Sequence, residues 1–193
     1  MPRTKRLQLS KNLIIEALLI LLENTSLDKI TISLLCKTAT VSRNTFYRHF
    51  KDVEAVLIYV IDEKIDTIIG QFDALEKNFD PYNIKRGDLE RIYSRFYCYW
   101  EKESALMKLL YSRGLFHLFR REFRLRFLNR ITVMQADLLS ESYGEHWRDY
   151  LYDWQSGVQS TIMESWASRG CVEDAEQLVA ITLQFNHSVK YQE

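Results

Sequence analysis

The sequence predicts an all-helical protein, and three observations carry that expectation. Six glycines and two prolines, Pro2 and Pro81, in 193 residues give too little punctuation for the short strands of a β-rich fold. Apolar residues recur at helical intervals along most of the chain, with no internal repeat or low-complexity tract. A composition 47% hydrophobic and 27% charged suits a buried core with a solvated exterior, not a disordered chain.

The elements follow in order. A first helix is expected from about Lys11, with Ser10 as its N-cap, to about Glu23, where Asn24, Thr25 and Ser26 end it. Thr31 offers its hydroxyl to the start of a short second helix that carries Ile32, Leu35 and Cys36 on one side and ends near Ala39. A third starts after Ser42; Phe46 and Phe50, four apart, share one face, while Arg43, Asn44, Tyr47 and Arg48 occupy others. Asp52 caps a long helix toward Phe79, stopped by Asp80-Pro81 and weakened within by Gly70. Further helices are expected from Asp88 to Trp100, Glu103 to Tyr111, Leu115 to Ser140, Glu145 to Ser168 and Glu173 to Tyr191, with Gly114, Gly144 and Gly170 at or beside their boundaries.

Several function classes are disfavoured. Cys36, Cys98 and Cys171 are odd in number and far apart, which supports neither a disulfide framework nor a CxxC metal site and suits a reducing cytoplasm. The longest apolar stretch, 13–22, contains Glu16 and is too short to cross a bilayer; Glu23, Asn24 and Thr25 stand where a signal peptide needs small residues. The four histidines, His49, His117, His146 and His187, show no HExxH spacing, and neither a glycine-rich phosphate loop nor G-x-S-x-G is present. Neither an enzyme nor a metal or organic cofactor is expected.

The formal net charge is zero, with 26 basic and 26 acidic residues, but it is unevenly spread. Residues 1–51 hold nine Lys and Arg against three acids, a net +6, and the rest of the chain is correspondingly acidic. That is what a phosphate-seeking module on a soluble body requires, although fluctuation about neutrality gives the same count. Short helix, turn (Thr40-Val41-Ser42) and short polar helix make a helix-turn-helix, whose second helix enters the DNA major groove. Arg43, Asn44, Thr45 and Arg48 supply the groups that bond base edges and phosphates. The stretch Pro2-Arg3-Thr4-Lys5-Arg6 reads either as a disordered leader or as an arm along the DNA backbone.

Residues 10–57 resemble the DNA-binding domain of the TetR/AcrR family of bacterial transcription regulators. The resemblance lies in Leu27-Asp28-Lys29-Ile30-Thr31-Ile32 and in Val41-Ser42-Arg43-Asn44-Thr45-Phe46-Tyr47-Arg48-His49-Phe50-Lys51. It implies a DNA-binding domain over residues 1–51 and a larger helical ligand-binding and dimerisation domain over 52–193. It also implies base or groove contact from Arg43, Asn44 and Thr45, and phosphate contact from Thr31, Ser33, Tyr47 and His49. Charge adds Arg48 and Lys51, and Ser42 presents a helix N-terminus to anions. The sequence departs from the family at Thr40, where a turn glycine is usual, and at Val53, where a lysine often stands.

In the acidic part, Tyr150, Trp154, Val158, Ile162, Trp166, Leu178, Ile181 and Phe185 follow helical spacing and read either as core or, by the resemblance, as a subunit interface. Phe116, Phe119, Phe123 and Phe127 form one stripe beside His117, Arg120 and Arg124. With Tyr93, Phe96, Tyr97 and Trp100 they read either as core with a solvated arginine row or as an aromatic effector pocket with a cationic edge. The expected partners are double-stranded DNA, a second copy of the chain and a small-molecule effector, with no membrane. The expected function is a homodimeric cytoplasmic repressor released from a palindromic operator by that effector. The alternative is an activator, coactivator or effector-independent adaptor in the same fold.

Overall fold

The computed structural model describes residues 3–76, 86–135 and 147–188, and among them the chain is all-α. The helices are α1 (Arg3–Leu22), α2 (Ile32–Thr38), α3 (Arg43–Tyr47), α4 (Val53–Glu76), α5 (Arg86–Lys102), α6 (Ser104–Ser112), α7 (Phe116–Gln135), α8 (Trp147–Ser168) and α9 (Ala175–Ser188). A single 3-10 turn, Leu27–Lys29, precedes α2. Gly144 lies outside the described residues, and Gly70 sits within α4 without breaking it. The chain separates into two compact units, Met1–Lys64 and Ile65–Glu193, whose boundary falls inside α4.

In the first unit, α1 packs against α2 and α3. Ile14, Leu18 and Leu22, each four residues apart, line its buried face together with Ala17. The buried residues of the helices packed against it are Leu35 and Cys36 of α2 and Phe46 of α3, and Phe50 just beyond α3 is buried as well. Burying Phe46 and Phe50 orients α3, because the face opposite them is left to solvent. The start of α1 corrects the sequence expectation. Residues 3–6 are neither leader nor extended arm but the first turn of the helix, and Ser10 lies in its interior, not at its cap. No helix breaker stands between Thr4 and Ser10, and Lys, Arg, Leu and Gln all favour helix.

Three helix ends close in one way, with an N–H reaching back five residues: Val41 to the Cys36 carbonyl at 3.0 Å, Leu115 to Leu110 at 2.8 Å and Cys171 to Trp166 at 2.9 Å. The residue before each of these donors has positive φ. Two of them are Gly114 (φ 68°) and Gly170 (φ 78°), and the third is Thr40 (φ 54°). A β-branched residue is strained there. Thr40→Gly is expected to stabilise the first unit by about 1 kcal/mol, the order of the left-handed penalty for a residue with a Cβ. Thermal or urea melting checks this, and an unchanged or lowered midpoint would contradict it.

In the second unit, α5 packs on α9, and α8 packs on α6 and α7. Asp174 fixes the start of α9: its carboxylate accepts from the Gln177 N–H at 2.8 Å, and the Gln177 side chain accepts from the Asp174 N–H at 3.0 Å. This reciprocal cap places the helix start after Glu173, the expected first residue. The core is aromatic. Trp100 meets Phe119 edge to face at 5.1 Å, Phe119 stacks on Phe123 at 5.5 Å, and Phe96 touches Trp100 and Phe123 at 6.3 and 6.0 Å.

Candidate nucleic-acid interface

Thr31 and Ser42 cap α2 and α3 through side-chain oxygens that accept from Leu34 N at 3.2 Å and Thr45 N at 3.1 Å. Each occupies an extended backbone conformation, with ψ 154° at Thr31 and 155° at Ser42. The left-handed step at Thr40 turns the chain between the two short helices. Phe46 anchors α3 from beneath.

The outward surface then contains Thr31, Ser33, Ser42, Arg43, Asn44, Tyr47, Arg48 and Lys51, all exposed, with Thr45 and His49 half-buried. Tyr47 is 58% exposed, with its ring edge-on to Phe46. The Thr45 hydroxyl is engaged locally: it lies 2.9 Å from Ser42 Oγ and accepts from Arg48 Nη2 at 3.3 Å. Thr45 therefore braces the Arg48 guanidinium, which spends one of its five donors on the contact. Lys51 lies 4.0 Å from the Asp52 carboxylate on the surface, a pairing worth little in water. Asp52 itself caps α4 through Ala55 N at 2.7 Å.

Two neighbours of this surface were not identified from sequence. Ser10 Oγ lies 2.8 Å from His49 Nε2 and donates to the Leu7 carbonyl at 2.9 Å. The Lys11 ammonium sits 3.5 Å above the Tyr59 ring and 5.9 Å from that of Phe50, a cation–π contact that ties α1 to α4. No local spacing relates Ser10 to His49, which are 39 residues apart. The visible clue was the uninterrupted helical composition upstream of Ser10. Partial burial, then Arg48 and Lys11, hold the His49 ring below its ordinary imidazole range, so it is mostly neutral near pH 7. Burial pushes the Cys36 thiol up, with nearby Arg43 opposing, and keeps it protonated beneath the surface.

In the second unit the aromatic and cationic residues part company. Phe96, Tyr97, Trp100, Phe116, Phe119 and Phe123 are buried and packed on one another, with Tyr93 half-buried at their edge. His117, Arg120 and Arg124 are exposed. Arg120 pairs with Glu164 of α8, Arg124 with Asp153 at 2.5 Å, and His117 Nδ1 meets the Gly114 carbonyl at 3.0 Å. The arginine row thus ties α7 to α8 through ion pairs. Tyr97 Oη joins Thr182 Oγ1 at 2.6 Å and donates to Gln159 Oε1 at 3.0 Å, and burial pushes its ionisation up.

Among the residues expected at a subunit interface, Trp166 and Leu178 are core residues, with Trp166 wholly buried and its Nε1–H donating to the Glu173 carbonyl at 2.9 Å. They offer no surface to another chain. Tyr150, Trp154 and Val158, successive at four-residue spacing, are exposed, by 75% and 55% for the two aromatics. Ile162 and Ile181 are half-buried, and the Phe185 side chain lies outside the described residues.

No family model matches the chain, and no curated protein matches it by sequence. Among solved structures it is similar to the fatty acid degradation regulator FadR from Bacillus halodurans, at 16% identity over 95% of this chain and 97% of that one, with a TM-score of 0.63. It is also similar to the dihydroxyacetone kinase operon activator DhaS, at 15% identity over 93% and 94% of the two chains, with a TM-score of 0.55. At these identities the likeness establishes a shared fold.

Proposed function

We propose that this protein is a DNA-binding transcription regulator of the TetR/AcrR type, acting as a homodimer in which α3 of each subunit enters the major groove. The observation that carries the reading is the exposed polar face of α3 and its flanks. Arg43, Asn44, Tyr47 and Arg48 project from a helix anchored by Phe46, in a unit whose net charge is positive. A short helix of this kind reads few base pairs, so a two-fold pair with a palindromic operator is the economical assembly. The shared fold with two transcription regulators supports it.

The exposed stripe Tyr150, Trp154 and Val158 on α8 supplies the pairing surface in this reading. Replacing Tyr150 and Trp154 together by Ala is expected to weaken self-association at least about 30-fold, as losing central aromatic anchors does. Sedimentation velocity checks this, and an unchanged dimer would contradict the assignment. An effector acting on the second unit completes the proposal. Trp100 Nε1–H is buried and has no acceptor among the described residues, a donor that a polar ligand atom would satisfy. An effector favouring a spacing of the two α3 helices mismatched to the half-sites releases the operator, which makes the protein a repressor. Activation is the second reading, favoured by the likeness to an operon activator. Selection of bound duplexes from random-sequence DNA tests the function: a palindromic consensus is expected, and recovery of no enriched sequence would refute it.

A further inference from the structure

His49 stands at the edge of the α3 surface with one ring nitrogen already committed. Ser10 has a single hydroxyl proton and two acceptors within reach, the Leu7 carbonyl at 2.9 Å and His49 Nε2 at 2.8 Å. With the proton on the Leu7 side, a mid-helix bond to the carbonyl three residues back, Ser10 Oγ is left as an acceptor and Nε2 must carry the hydrogen. The neutral ring then has a bare Nδ1. That nitrogen bonds to no described residue and is not among the buried unpartnered atoms, so it faces solvent. A bare ring nitrogen repels a phosphate oxygen, whereas a protonated one donates to it with charge assistance. The charged groups acting on the ring are Lys11 from α1 and Arg48 at the end of α3; α4 contributes Tyr59, whose ring lies beneath Lys11. Lys51 and Asp52 follow in the loop, paired with one another.

We propose that Ser10 is a positioning residue of the DNA-binding surface, holding the His49 ring by Nε2 so that Nδ1 takes a proton from solvent as a backbone phosphate arrives. This rests on the DNA-binding reading above. Binding is then linked to proton uptake. In the free protein partial burial, then Arg48 and Lys11, lower the ring's proton affinity, and the phosphate raises it in the complex. The gain in affinity is complete below the free-state pKa of His49 and is lost as pH rises through the bound-state value. Each unit between those values gives about tenfold in affinity per subunit.

The test uses the full chain and a fluorescent random-sequence duplex at low, constant salt. The parent is expected to bind about tenfold more tightly at about pH 6 than at about pH 8. Ser10→Ala, which favours helix and keeps the fold, should reduce that ratio below about threefold, and Ser10→Thr, whose hydroxyl can make the same backward bond, should restore it. An unaltered pH profile in Ser10→Ala would overturn the proposal. Nitrogen-15 NMR of the free protein separates this from the DNA reading. A neutral His49 ring with its hydrogen on Nε2 supports the relay, and a hydrogen on Nδ1 overturns it, even if the parent binds no duplex and the DNA reading itself fails.

Discussion

Arg43→Ala is expected to lower affinity for the selected operator by about 10- to 100-fold while leaving the melting temperature of the protein unchanged, since a bidentate base contact contributes about 1–3 kcal/mol of discrimination. Arg43 is the first residue of α3 and is exposed, so its loss opens no cavity. The loss should also be selective: affinity for unrelated duplex should fall less, because a base contact specifies and a phosphate contact only positions. Lys51→Ala provides the contrast, weakening both duplexes alike and shallowing the salt dependence. Anisotropy titrations with operator and scrambled duplexes measure both. Equal binding of the operator by Arg43→Ala and the parent would remove Arg43 from the reading surface.

The second large effect concerns stability. Trp100 is wholly buried, with its indole against Phe119 and Phe96. Truncation to Ala removes those contacts and leaves a cavity that packed helices fill only partly, at a cost of about 3–5 kcal/mol. In a chain of this length each kcal/mol shifts the midpoint by about 2–4 °C, so Trp100→Ala should melt about 6–20 °C below the parent. Trp154→Ala, at an exposed site, should leave the melting of the isolated subunit nearly unmoved. Calorimetry at concentrations where both variants are monomeric separates the two. Equal melting of Trp100→Ala and the parent would contradict the packed core described above.

The surface around α3 was largely legible in the sequence because its determinants are local. Thr31, Ser42 and Asp52 are short polar residues before apolar runs, and each caps the helix it was expected to cap. Phe46 and Phe50, four apart, bury as expected and settle which face of α3 remains outside. What depends on distant chain was not legible. Ser10 resembles a cap in isolation, and only its helical surroundings and its contact with His49 show otherwise. The arginines of α7 were visible as a row, but their acidic partners lie 44 and 29 residues downstream. Likewise Trp154 and Trp166 both follow helical spacing on α8, yet one faces solvent and the other the core. Periodicity reports that a helix has an apolar side; which part of it is covered depends on the helices that pack there.

Methylation interference on the selected operator tests the placement of α3 most directly, because N7 of guanine lies in the major groove. N7-methylguanine is expected to block binding at positions related by two-fold symmetry in the two half-sites, and Arg43→Ala should abolish the block at one guanine of each. A duplex bound with full affinity despite methylation throughout, or an interference pattern that Arg43→Ala leaves unaltered, would contradict the account.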